Sequence, residues 1–259
     1  MTDLIHRLRV TAQMAGEPRR RALDRTLRDD ALLGRDLLEA REPRRLARAL
    51  RRLGHRLGFE PDAHAARLGA WMDVLGGAAG LAGAELAELG LGCDVHDIGK
   101  LGVAAEVLAD DDALTATELD WIRMHSSLGH AILAGLPGLA AARDLVLCHH
   151  EYWDGSGYPE GRRGEAIPRA ARLFALVDSY EAMIRVDQPY RAPLGHDQAA
   201  DQIVGLAGIR YDPALVAIFA RLDRGRWRAI ADELDGDRDL DGDRDRAAGP
   251  ARVGAIVAA

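Results

Sequence analysis

Apolar residues in this chain recur every three or four positions, and no stretch alternates apolar with polar over a strand's length. Leu23, Leu27, Leu32, Leu33, Leu37, Leu38, Leu46, Leu50, Leu53 and Leu57 keep that spacing through a segment rich in alanine and arginine. It predicts two or three amphipathic helices, with Pro18 and Pro43 in first turns. A helix from Pro61 to about Leu75 follows, then one or two more between Leu86 and Lys100. Thr115, with Glu118 three residues on, is a capping box and opens a helix to about Leu136, where Pro137–Gly138 stops it. "LAAARDLVLCHHEYW" begins the next helix, and "DGSGYPEGRRGEAIP" is too dense in Gly and Pro for regular structure. Pro168 opens a long helix through Met183, and "YDPALVAIFARL" supplies one more. The fold class is therefore all-α, a helical bundle. Three segments are expected: a basic helical arm over 1–58, a main domain over 59–224, and a C-terminal helix with a low-complexity, mobile tail over 225–259. The spaced aspartates from Asp235 resemble part of a calcium loop but lack its closing Glu, so the tail is expected to be solvated.

Composition narrows the class. With 259 residues and 48% hydrophobic content, the chain can bury a sizeable core. No run of eighteen apolar residues exists to span a membrane, and "MTDLIHRLRV" lacks the apolar region of a signal peptide. Cys93 and Cys148 fit a reducing cytoplasm and read as small core residues. The net charge of −7 hides a division: residues 1–58 carry 15 arginines against eight acids, leaving −14 for the rest. The arginines are scattered among acids without interleaved aromatics, which argues for a solvated helix face and against nucleic-acid binding.

Chemistry concentrates in a few histidines. His6, His55, His130 and His196 stand alone and read as structural residues. His64, the pair His96–Asp97, His125, the doublet His149–His150, and Asp178 in the apolar helix "LFALVDSYEAM" are harder to dismiss. Adjacent ligands on a helix project about 100° apart and can reach different ions of one cluster. Imidazole nitrogens mixed with carboxylate oxygens suit iron, manganese or zinc better than calcium or magnesium. A bridging carboxylate such as Asp97 would hold two ions roughly 4 Å apart, as in two-metal hydrolases.

"VHDIGKLGV", "HHEYWDGSGYPEGRRGEAIPRAARLFALVDSYEAM" and "YDPALVAIF" resemble the HD-GYP family of cyclic-di-GMP phosphodiesterases, a branch of the HD metal-hydrolase superfamily, over about residues 60–222. Gly157-Tyr158-Pro159 follows His149-His150-Glu151 as that family requires. The resemblance implies two or three divalent ions, iron or manganese, held by His64, His96, Asp97, His125, His149, His150 and Asp178. Glu60 would be a further ligand in three-metal members. It also implies substrate contacts by Lys100, Gly157, Tyr158, Pro159, Glu181, Gln188 and Arg191. Gln188 stands where the family carries an arginine, which predicts a weaker hold on phosphate. The expected activity is hydrolysis of cyclic-di-GMP to pGpG, and on to GMP, in bacterial second-messenger signalling. The alternatives are a catalytically weak cyclic-di-GMP receptor and an HD phosphohydrolase for another nucleotide. Partner contacts through the GYP loop or the arm, and a homodimer, are further expectations. The arm holds none of the motif residues and is expected to be separable from the chemistry.

Lys100 is the chain's one lysine; the other 33 basic residues are arginine. It follows Asp97 by three positions and His96 by four, which predicts a shared helix face. A compact ammonium fits a crowded cluster where a planar guanidinium would clash. The expected catalytic pair is Asp97, bridging the ions, and Lys100, touching phosphate.

Overall fold

The predicted helices form, and the way they pack fixes where their ends meet. The computed structural model describes residues 2–59, 64–109, 114–185 and 192–236. Four helices come first: α1 (Thr2–Met14), α2 (Glu17–Asp29), α3 (Ala31–Glu39) and α4 (Pro43–Arg56). Then come α5 (His64–Ala78), α6 (Ala84–Val95), a 3₁₀ turn (Ile98–Gly102), α7 (Ala105–Ala109), α8 (Ala116–Arg123), α9 (His125–Leu133) and α10 (Ala140–Cys148). After the Gly/Pro-rich loop the chain continues through α11 (Arg169–Ile184), α12 (His196–Gly205), α13 (Pro213–Phe219) and α14 (Arg224–Gly236). Glu60, Gln188, Arg191 and residues 237–259 of the expected tail lie outside the described residues.

Two apolar cores share a wall. The first gathers Leu4, Leu8, Leu23, Leu33, Leu37, Leu46, Leu50 and Leu53 with Val95, Ile98, Leu101, Ile132 and Val146. The second surrounds Trp71, Tyr180 and Trp227, where the Trp71 indole donates to the Trp227 carbonyl at 2.9 Å and Tyr180 meets Trp71 edge-on. Helices α6 and α10 serve both: Leu91 and Val146 face one core, Leu89 and Leu145 the other. Their C-terminal ends, which carry His96–Asp97 and His149–His150, are thereby fixed between two packed bodies.

One apolar core spans the boundary expected after residue 58. Leucines of the first four helices lie in one core with the 3₁₀ turn and α9, each contributing about 1.5–3 kcal/mol by leaving water. Polar ties reinforce the union. Arg19 is buried in α2 and donates to the carbonyls of Leu57 (2.8 Å) and Val103 (3.3 Å). Arg7 of α1 donates to the carbonyl of Ala131 at 3.2 Å, tying α1 to the end of α9.

The capping box is present, with the Thr115 amide donating to Glu118 at 2.8 Å and the Glu118 amide donating to Thr115 Oγ1 at 3.3 Å. The helix it opens does not reach Leu136. It ends at Arg123, and a new helix starts at His125. At the break the Ile122 carbonyl accepts from the His125 ring at 2.7 Å as well as from the Met124 amide. A side chain that competes with the backbone for a carbonyl favours a helix end.

Candidate metal centre

That device occurs three times. His96, His125 and His149 each follow a helix end, those of α6, α8 and α10. Each Nδ1 lies against the carbonyl three residues back: Cys93 at 3.0 Å, Ile122 at 2.7 Å and Val146 at 2.8 Å. A carbonyl only accepts, so Nδ1 carries the hydrogen and Nε2 presents a lone pair. The carbonyl ends of three helices thus converge on one place, and their partial negative charge favours cations there.

Two groups of ligand atoms result, each within 4.8 Å of one another: His64, His96 and Asp178, and His125, His149 and His150. All six residues are buried. Asp97 lies between the groups, with Oδ2 3.2 Å from His96 Nε2 and Oδ1 3.6 Å from His125 Nε2. Each oxygen of one carboxylate therefore faces a different group.

The residues fit a pair of divalent cations on their own chemistry. The Nε2 atoms of His125 and His149 are 3.1 Å apart, and those of His64 and His96 are 3.4 Å apart. With the hydrogens of His125 and His149 committed to carbonyls at Nδ1, their Nε2 lone pairs face each other and repel unless a positive charge lies between them. A proton is a poor candidate, since burial pushes His125 down to about 4 and holds His149 and His150 well below the ordinary imidazole range. Burial also raises the Asp178 carboxyl, whereas Asp97 is held well below the usual carboxylate range because His96 and Lys100 outweigh its burial.

Lys100 is buried, and its Nζ pairs with Asp97 Oδ2. The shared face predicted for an α-helix arises instead from the 3₁₀ turn, where residues three apart eclipse.

The Gly-Tyr-Pro loop closes over His150. The Glu151 carboxylate is buried and accepts from the amides of Glu160 (2.8 Å) and Arg162 (2.9 Å), folding the loop back on its start. The Tyr158 amide donates to the His150 carbonyl at 3.1 Å. Gly157 is needed for close approach: a β-carbon there would lie 2.3 Å from the Tyr152 nitrogen. The Tyr158 ring stacks on His150 with centroids 4.8 Å apart, and the Arg123 guanidinium sits over it at 5.5 Å. Its buried hydroxyl has no hydrogen-bond partner among the described residues.

Glu181, expected at the substrate, lies against His64. It is 1% exposed, and its Oε2 lies 3.2 Å from His64 Nδ1, behind the ring and away from its Nε2. Arg67 pairs with Oε1, and Arg185 approaches Oε2 at 3.9 Å. Arg67 was absent from the predicted site, although its place one turn after His64 on the same helix face was a usable signal. Cys93 and Cys148 are buried free thiols, as expected.

The helical bundle thus brings together two groups of His/Asp side chains able to hold metal ions, with Asp97 between them. The HD domain family model matches residues 35–215, and this chain belongs to the HD-domain family. It is 30% identical over 194 residues to a cyclic di-GMP phosphodiesterase of Thermotoga maritima, covering 74% of this chain and 52% of that one. It is 39% identical over 144 residues to a cyclic di-GMP phosphodiesterase of Vibrio cholerae, covering 53% of this chain and 29% of that one. The chain therefore spans about half the length of the first relative and less of the second. The solved structure of an HDG"Y"P protein from Bdellovibrio bacteriovorus shares the fold, with a TM-score of 0.52 at 12% identity, over 82% of this chain and 71% of that one. No helix among the described residues is long and apolar enough to cross a membrane.

Proposed function

We propose that this chain is a metal-dependent phosphodiesterase that opens cyclic di-GMP to the linear dinucleotide pGpG. The observation that carries the reading is Asp97, whose two oxygens address two separate triads of buried ligands. Nitrogen-rich donors with a minority of carboxylate suit iron or manganese. When bound, the ions supply Lewis acidity toward a phosphodiester oxygen and toward an attacking water.

The chain's own groups complete the site. Backbone carbonyls hold three imidazoles in one tautomer, so Nε2 is the ligand atom without a proton being shed at neutral pH. Lys100, now paired with Asp97, brings an ammonium to the non-bridging phosphate oxygens, where charge grows as the bond breaks. The unpartnered Tyr158 hydroxyl stays protonated, since burial raises it, and can donate to a ribose or phosphate oxygen. With His150 stacked against it and Arg123 over it, the Tyr158 ring has little face left for a guanine, so its hydroxyl is its contribution. The complete ligand set supports turnover over a binding-only receptor.

The test is to incubate metal-loaded protein with cyclic di-GMP, and with its mixed guanine–adenine analogue, and to resolve the products by chromatography. A linear dinucleotide from cyclic di-GMP supports the reading. An untouched cyclic substrate under conditions where two ions are bound overturns it.

A further inference from the structure

The two triads are built by different means. His125, His149 and His150 come from α9 and the end of α10, neighbours in sequence that pack directly on each other. The rings of His125 and His149 are oriented by carbonyls of the helices that precede them, and that of His150 is stacked by Tyr158. This triad is preorganised by local backbone. His64, His96 and Asp178 come from α5, the end of α6 and α11, so they meet only if α5 and α11 are held together. His96 has its local carbonyl, but the Nδ1 of His64 faces a side chain, Glu181, from far along the chain.

Glu181 is one turn after Asp178 on α11, and Arg67 is one turn after His64 on α5. The Arg67 Nε donates to Glu181 Oε1 at 3.2 Å, and the two side chains are buried together. The Arg67–Glu181 clasp thus sets Glu181 Oε2 against the back of the His64 ring and adds a polar tie to the apolar packing of α5 on α11, the helix that delivers Asp178. Carboxylates behind metal-bound imidazoles fix ring orientation and raise ligand basicity.

We infer that Glu181 is a positioning residue for one ion only, the ion held by His64, His96 and Asp178, and that this ion is the more exchangeable of the two. The inference rests on reading the two triads as cation sites. It makes the centre asymmetric: one ion sits in a backbone-built pocket, and the other depends on a carboxylate lying behind its histidine.

Metal stoichiometry and affinity, measured by competition with a chelating dye on the full chain, test this apart from hydrolysis. Glu181→Gln should keep one tight ion while the second binds about 10–100-fold more weakly. Adding His64→Ala to Glu181→Gln should not reduce the number of tight ions further, because both changes strike the same site. Glu181→Asp keeps the charge beside Arg67 but withdraws the oxygen from His64, and should weaken the same single ion with the thermal midpoint of the metal-free protein preserved. Two ions at wild-type affinity in Glu181→Gln, equal weakening of both ions, or a Glu181→Asp chain that fails to fold would each overturn the inference. A wild-type chain that binds no ion would instead overturn the metal reading itself.

Discussion

Gly99 lies so close to His125 that a β-carbon on it would sit 1.8 Å from the His125 carbonyl oxygen and 2.5 Å from the Gly129 nitrogen. The 3₁₀ turn carrying Lys100 and the helix that begins at His125 are in backbone contact, with no side chain between them. That contact sets the reach of Asp97 to His125. Both obstructing atoms are backbone and cannot swing aside. Gly99→Ala should therefore cost about 3 kcal/mol or more, at or beyond the upper end of overpacking. Denaturant unfolding should show the loss, and metal content should fall with it.

Asp97→Ala should abolish hydrolysis and leave fewer than two ions bound, since each carboxylate oxygen faces a separate triad. Elemental analysis of the purified variant reads this directly. Wild-type metal content there would contradict a bridging role.

Lys100→Ala should keep both ions, because Lys100 supplies no ligand atom, and should lower the rate by roughly 10²–10³-fold. Lys100→Arg should recover only part of that loss, as the planar fork must enter a space shaped by an ammonium buried against Asp97. Steady-state kinetics with metal quantified in each sample separates this from a purely structural lysine, for which kcat/KM would not change.

A truncation beginning near Leu57 should not fold, contrary to a separable arm. It would strip Leu4, Leu8, Leu23, Leu33, Leu37, Leu46, Leu50 and Leu53 from a core they share with Ile98 and Val146. Leu50→Ala alone should cost about 2–5 kcal/mol by the cavity it leaves. Circular dichroism and gel filtration of the truncation, and thermal melts of the point variant, check both.

Chelation should lower the thermal midpoint. Ions that bind only the folded chain stabilise it by mass action, about 2.7 kcal/mol at a hundredfold excess over Kd. Here they also relieve the facing imidazole lone pairs of His125 and His149 at 3.1 Å. Re-adding manganese or iron should restore the midpoint; calcium should not, given its preference for oxygen ligands.

Much of this was legible in the sequence. Leucine spacing announced α2 to α4, and Thr115 with Glu118 marked the start of α8. The doublets His96–Asp97 and His149–His150 and the residues His64, His125 and Asp178 marked the side chains that the fold brings into two groups with Asp97 between them. What the sequence hid was tertiary. Leucine periodicity says that a helix has an apolar face, not which body that face joins, so the arm looked detachable. The helix break at Met124 goes with a histidine ring bonding the Ile122 carbonyl, which propensity does not encode. Glu181 resembled a site residue by its position in "DSYEAM", yet its partners Arg67 and His64 lie on a helix more than a hundred residues earlier. Gly99 and Gly129 gave no signal either, because close approach between two backbones leaves no mark in residue type beyond the glycine itself.

The arginine habit of this chain leaves it with a single ε-amine, that of Lys100, sealed against Asp97 inside the centre. The only other primary amine is the α-amino group, which is far less basic than a lysine and reacts at lower pH. Peptide mapping after treatment with an amine-selective acylating reagent can therefore resolve a second mass increment, on Lys100, that forms when the centre opens. The protein carries its own one-site gauge of breathing: the rate of that second increment counts openings, and anything that seats itself over Lys100 should slow the clock.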